Sequence, residues 1–97
     1  MIYVNVRKSQ NEILVAACDE EILGESFSEG DVHLKVSKGF YRGDLVPIKE
    51  LSGLLSNATI ANLTGNRVVE EAIDLGFVER EHVMEVSGVK HAQLVVL

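Results

Sequence analysis

One cysteine, one proline, no tryptophan and only 5% aromatic residues set this 97-residue chain apart first by what it lacks. A lone cysteine excludes an intramolecular disulfide, so the fold must rest on its core; a free thiol also fits a reducing compartment. The longest apolar run, "ILVAAC" at 13–18, falls far short of the roughly 20 residues that cross a bilayer, so no membrane role is expected. The opening "MIYVNVRKSQ" has no basic segment leading into an apolar one. No secretory signal is read there, and a cytoplasmic location is expected. With secretion set aside, the sequons at Asn57-Ala58-Thr59 and Asn62-Leu63-Thr64 and the "RGD" at 42–44 carry no function.

Basic residues are missing from one stretch altogether. Residues 19–31 hold Asp19, Glu20, Glu21, Glu25, Glu29 and Asp31 with no base, which equals the whole net charge of −6. Residues 32–43 reverse the sign, with Lys35, Lys38 and Arg42 and no acid. Bulk binding to polyanions is disfavoured by the total. A local basic contact is not.

What is present is a core. Apolar residues make up 46% of the chain, enough for one domain over 1–97 that buries roughly two-thirds of its unfolded surface. "IYVNVR" alternates, with Ile2, Val4 and Val6 on one face and Tyr3, Asn5 and Arg7 on the other. "ILVAAC" is apolar on both faces, as a central strand is. The two read as a hairpin. Asp19 is placed to cap a short helical turn, and "GESFSEGD" reads as a loop. "VHLKV" forms a third strand with Val32, Leu34 and Val36 inward. "KGFYRGD" reads as a turn, and 47–56 as a helix with Pro47 in its first turn.

"ATIANLTG" suits either a continued helix or, preferred here, a short buried strand. The clearest element is the helix at 66–75, with Val68, Val69, Ala72, Ile73 and Leu75 as its stripe. Gly76 is its stop. Two strands around Ser87-Gly88 follow; the second puts Ala92, Leu94 and Val96 on one face and His91, Gln93, Val95 and Leu97 on the other. The expected fold is α+β: a mixed, mainly antiparallel sheet with two helices, in the order β-β-β-α-(β)-α-β-β.

In this order "CDEEILG", "FYRGDLV", "ATIANLTGNRVVEEAIDLGFV" and "GVKHAQ" make nearly the whole chain resemble the archaeal family of small proteins catalogued as domain of unknown function 424. The tail motif of that family is commonly Gly-Val-Pro-His-Ala-Gln, so Lys90 stands where a proline is usual. His91 and Gln93 are therefore better candidates than Lys90 for a shared role. The resemblance implies an archaeal, cytoplasmic α+β protein and no particular reaction. An association with the translation apparatus is the expectation.

Three places can carry chemistry. "NLTGN" clusters Asn62, Thr64, Gly65 and Asn66 where a strand meets a helix N-terminus; free N–H groups there attract an anion. Ordinary capping by Thr64 is the plainer reading. His91 and Gln93 extend that candidate ligand site. "KVSKGFYRG" interleaves Lys35, Lys38 and Arg42 with Phe40 and Tyr41, a pattern that contacts phosphates and stacks on bases, unless the aromatics fold back as core.

Cys18 paired with His91 would be a nucleophile; otherwise it is a small buried hydrophobe. No spacing among Cys18, His33, His82 and His91 matches a metal-ligand pair, so no metal or cofactor is called for. The acidic stretch suits a basic protein partner or plain solvent. The covered face holding His91 could meet "CDEEILG" or a second copy in a homo-oligomer, with Asp19 as the first-choice partner of His91. The reading that follows is a non-catalytic module that binds a protein or RNA partner. The alternative is a small enzyme or anion binder using residues 62–66 with His91.

Overall fold

The structure is a computed structural model that describes residues 1–96. Two halves of the chain meet along one parallel strand pair. Strand β1 (Ile2–Lys8) turns through residues 9–12 into β2 (Ile13–Asp19), the expected hairpin, paired from Ile2↔Asp19 to Lys8↔Ile13. Strand β6 (Ile60–Thr64) lies parallel to β2 on its other side, from Leu14↔Ile60 to Cys18↔Thr64. The short strand preferred at 58–65 is therefore present.

Strands β7 (Met84–Val86) and β8 (Val89–Val95) form the terminal hairpin, and β8 pairs antiparallel with β6. With β5 (Asp44–Val46) on the outer edge of β1, the sheet runs β5-β1-β2-β6-β8-β7. The apolar, small-residue β2 and β6 take the two central places, as strands buried on both faces must.

Helix α3 (Asn66–Asp74) follows β6 and lies on the face of Val4, Val15, Ala17, Leu63 and Ala92. Its stripe is Val68, Val69 and Ala72, all buried. Ile73 is half-buried against them, and Leu75 is exposed. Burying a valine contributes about 1.5–3 kcal/mol, so this stripe anchors the helix. The helix stops as expected. Gly76 has φ +84°, its N–H bonds Ile73 O, and Phe77 N–H bonds Ala72 O. Beside it, α2 (Leu51–Ser56) buries Leu51 and Leu55 after a 3-10 turn at Ile48–Glu50. Pro47 precedes that turn as its extended cap rather than sitting inside it.

The middle of the chain departs from the sequence reading. "GESFSEGD" is not a loop: Ser26–Glu29 is strand β3, paired antiparallel with β4 (Val32–Lys35) in a separate hairpin. Val32 is exposed, and only Leu34 and Val36 face inward. "KGFYRGD" is not a turn but a single helical turn, α1 (Lys38–Tyr41), leading into β5. These are three α-helices, not two. The reason is tertiary. Val36 and Tyr41, with Tyr3, Ile22, Leu23, Phe27 and Phe40 around them, build a second small core on Ala16 and Cys18, on the opposite face of the sheet. Segments too short to fold alone are held there by packing.

Asp19 also departs from expectation. Its side chain does not cap the 3-10 turn Glu20–Ile22 that follows it. It reaches α3 instead, accepting from Val68 N at 2.9 Å and Arg67 N at 3.0 Å. Nor does Thr64 cap α3: the capping position is Gly65, and Thr64 points to the other face. Gly65 has φ +117°, and a Cβ there would run into the Asp19 carboxyl group. Asp19→Ala should therefore lower stability by about 2–3 kcal/mol in urea denaturation, since it leaves two helix N–H groups without their charged acceptor. Gly65→Ala should cost a similar amount. A change within about 0.5 kcal/mol, the range of an ordinary surface substitution, would contradict the assignment.

Candidate functional site

Alternation along the strands sorts the second face of the sheet into three cross-strand rows. The upper row is Tyr3, Cys18, Thr64, His91 and Met84, each opposite the next in register. The middle row is Asn5, Ala16, Asn62 and Gln93; the lower is Arg7, Leu14, Ile60 and Val95. The β3–β4 hairpin and α1 sit over the upper row. Leu14 and Ile60 join neither hydrophobic core, and Gln93 and Val95 are exposed. Half of this face is covered and half is open. Leu97, expected on the same face, lies outside the described residues.

The covered half contains a buried polar relay. Tyr41 OH lies 2.9 Å from Thr64 Oγ1, which lies 2.8 Å from His91 Nδ1. One arrangement satisfies all three groups: Tyr41 donates to Thr64, and Thr64 donates to His91 Nδ1, leaving the ring proton on Nε2. His91 thus pairs with Thr64, not with Asp19 as first expected. Burial holds the imidazole below its ordinary 6.5 and pushes the Tyr41 phenol up. Cys18, opposite Thr64, is fully buried. Burial, followed by the Asp19 and Glu21 carboxylates, pushes its thiol up to about 12. At neutral pH it stays protonated, so it is not the thiolate that nucleophilic chemistry needs.

The ligand candidates therefore divide. Thr64 and His91 belong to the relay. Asn62 and Gln93 meet on the open half, where Gln93 Nε2 donates to Asn62 Oδ1 at 3.0 Å. Asn66 is a fastener: its Oδ1 accepts from Lys90 N at 2.9 Å and its Nδ2 donates to Gly88 O at 3.0 Å. Gly65 makes room for Asp19. The two N–H groups at the start of α3 that an anion would use are already bonded to that carboxylate.

The macromolecule-contact candidates divide as well. Lys35, Lys38 and Arg42 are exposed, but Tyr41 is buried and Phe40 half-buried, edge-to-face with Tyr41 at 5.0 Å. Arg7, which the sequence reading passed over as an outward strand residue, lies with its guanidinium 4.9 Å over the Phe40 ring. It also donates to Gly39 O at 2.8 Å, and Asn5 Nδ2 donates to Phe40 O at 3.2 Å. The signal was available: Asn5 and Arg7 alternate on the same face as Tyr3. Among the described residues no three His, Cys, Asp or Glu side chains gather as a metal ion needs. A shallow groove of about 1040 Å³ opens on the opposite face, between Val6, Lys8 and Ile13 and the α2 side chains Leu54 and Asn57; it includes none of the expected residues.

Fold and site together define a small α+β domain, a mixed sheet closed on one face and half-closed on the other. The chain belongs to the family described as "Protein of unknown function (DUF424)", whose family model matches residues 7–97. It is similar to a crystal structure of an uncharacterized conserved protein from Methanopyrus kandleri, with TM-score 0.80 and 22% identity, covering 99% of this chain and 91% of that one. At that identity the likeness shows the fold alone. None of the curated proteins matches. No helix among the described residues is long and apolar enough to cross a membrane.

The relay makes stability pH-dependent with a definite sign. The folded imidazole takes up its proton less readily than the unfolded one, because its value lies below 6.5. Stability is therefore full above the ordinary value and falls as pH drops through it towards the depressed folded value. Protonated His91 can no longer accept at Nδ1 and must donate to Thr64 instead, which leaves one hydroxyl proton of the relay without its acceptor. Denaturation midpoints should fall between about pH 7 and pH 5, before most carboxylates titrate. His91→Gln should flatten that window; an unchanged slope would remove His91 from the effect.

Proposed function

We propose that this protein is a non-catalytic binding module that holds single-stranded RNA on the open half of its sheet. The observation that carries the reading is what the second core leaves uncovered of the middle and lower rows, in which Ala16 alone is buried. Asn5, Asn62 and Gln93 bring amides, Leu14, Ile60 and Val95 an apolar floor, and Arg7 a guanidinium at the rim, with no carboxylate in either row. Amides bond base edges, apolar and guanidinium planes support stacked bases, and cations hold phosphates. Lys38 and Arg42 are exposed cations at the two ends of α1, the Lys38 side chain lying against Gly24. The net charge of −6 weighs against bulk polyanion binding, but six acids lie in the segment 19–31, outside these rows. A short, salt-sensitive contact fits this balance better than a long electrostatic footprint.

The competing enzyme or anion-binder reading loses its supports. Its helix N–H groups are bonded to Asp19, its histidine is bonded to Thr64, and its cysteine is a buried thiol. A cytoplasmic archaeal setting, within the RNA or translation machinery, belongs to the proposal; the likeness to the Methanopyrus kandleri protein supports the archaeal part of it.

Fluorescence anisotropy with a labelled mixed-sequence RNA oligonucleotide tests the reading. Binding should weaken as salt rises. Arg7→Glu should weaken it at least about tenfold, or about 1.4 kcal/mol, with the circular dichroism spectrum unchanged. Gln93→Ala should cost less. Absence of salt-sensitive RNA binding, with a protein recovered on the same surface by cross-linking at position 93, would replace RNA with a protein partner.

A further inference from the structure

The alternation that sorts side chains also sorts the main chain of β8. Lys90 O accepts from Gly65 N, and Val96 N donates to Thr59 O, each at 2.8 Å. Even-numbered residues thus aim their main-chain groups at β6, and odd-numbered ones aim outward. Strand β7 covers the outer side only at Val89 and His91, because it runs only from Met84 to Val86. Before Met84 the chain coils away, with Val83 N bonded to Arg80 O and His82 N to Glu79 O. Among the described residues, the outward N–H and C=O of Gln93 and Val95 therefore have no strand beside them.

Native sheets blunt such edges with lysine, proline or a bulge. Residues 92–96 read Ala-Gln-Leu-Val-Val and contain neither charge nor proline. Val95 and Val96 are the most exposed large hydrophobic residues among those described, at 58% and 57%. A free edge and two consecutive exposed apolar residues coincide.

We propose that this edge pairs with the same edge of a second copy of the chain, in an antiparallel two-fold about Leu94. That register sets Gln93 opposite Val95 of the second copy, and Val95 opposite its Gln93. Both members of each pair aim their main-chain groups outward, so four hydrogen bonds form with no rearrangement. The two Leu94 side chains meet on the α3 face. A second copy is favoured because one segment supplies both sides of this register. It also lets two chains of charge −6 approach where neither carries a charge. Strand β7 limits the pairing to residues 92–96, so the dimer is concentration-dependent. Within it the open rows of the two copies become continuous across β8.

Sedimentation equilibrium of the full chain, from low micromolar to millimolar, tests this independently of RNA. The chain should dimerise. Val95→Pro removes an outward donor and leaves the Val96–Thr59 bond in place; Val95→Lys adds a charge at an exposed position and serves if the proline variant fails to fold. Each should weaken dimerisation at least about tenfold, or about 1.4 kcal/mol, with an unchanged circular dichroism spectrum. A monomer at every concentration, or a dimer indifferent to both substitutions, overturns the proposal.

Discussion

The carboxylate of Asp19 sits at the point where β2, β6 and α3 converge. It is 96% covered, and its two oxygens accept the N–H groups of Arg67 and Val68, 48 and 49 residues along the chain. A helix start has orphan donors that something must satisfy. Here the end of one central strand satisfies the helix that follows the other. This fixes the pitch of α3 against the sheet and the register of the β2–β6 pair. It also dictates Gly65, since any larger residue would collide with the carboxyl group. With Gly65 at the cap, Thr64 is free to turn to the opposite face, where it meets Tyr41 and His91. One carboxylate bonded to two backbone N–H groups on one side of the sheet thus places the polar relay on the other.

The two faces are closed by different means. The α3 face is closed by apolar area, with Leu51, Leu55, Val68 and Val69 from the helices against the strands. The second face is closed by small elements held at a few points. Tyr41 is pinned by Thr64, Asn5 and Arg7 hold the carbonyls of α1, and Glu29 accepts from Ser87 N at 2.7 Å to fasten the hairpin over β7. These fasteners reach the middle and lower rows only at their β1 end, through Asn5 and Arg7. Elements of four residues have no reach for more than this and Ala16, so the rest of the middle and lower rows stays open. The open surface is a consequence of how little chain is assigned to that face.

Periodicity made most of the large sheet and α3 legible, because each of those elements shows its own burial pattern locally. Ile2, Val4 and Val6 alternate, Val68, Val69 and Ala72 recur at helical spacing, and Gly76 marks the stop. Strand β3 was not legible. "SFSE" has one inward residue, Phe27, and its strand character comes from pairing with Val32–Lys35 and from packing on Ile22 and Leu23. Helix α1 is a single turn stabilised by Tyr41, whose partner lies 23 residues away. The candidate site was half legible for the same reason. Alternation put His91 and Gln93 on one face correctly, but whether that face is covered depends on segments folding back from 22–41. Asp19 was seen as a cap, and only its helix was misjudged, since a capping side chain carries no mark of how distant its helix is.

Charge placement supplies the last constraint on function. Acids of β3 and of the turn at 20–22 lie on elements that cover the upper row, while the Arg7 guanidinium lies over Phe40 at α1. A polyanion approaching within a Debye length, about 8 Å at physiological salt, meets repulsion at one end of the face and attraction at the rim of the open rows. In the proposed reading this field orients a partner before contact, and the uncovered part of the middle and lower rows, with Arg7 at its rim, carries the contact. Catalysis would require a group there that can hold and release a proton or form a bond at neutral pH. Asn5, Asn62, Gln93, Leu14, Ile60 and Val95 can do neither, and His91, which titrates, is bonded beneath the covered half. Recognition is what amides on an apolar floor are able to perform.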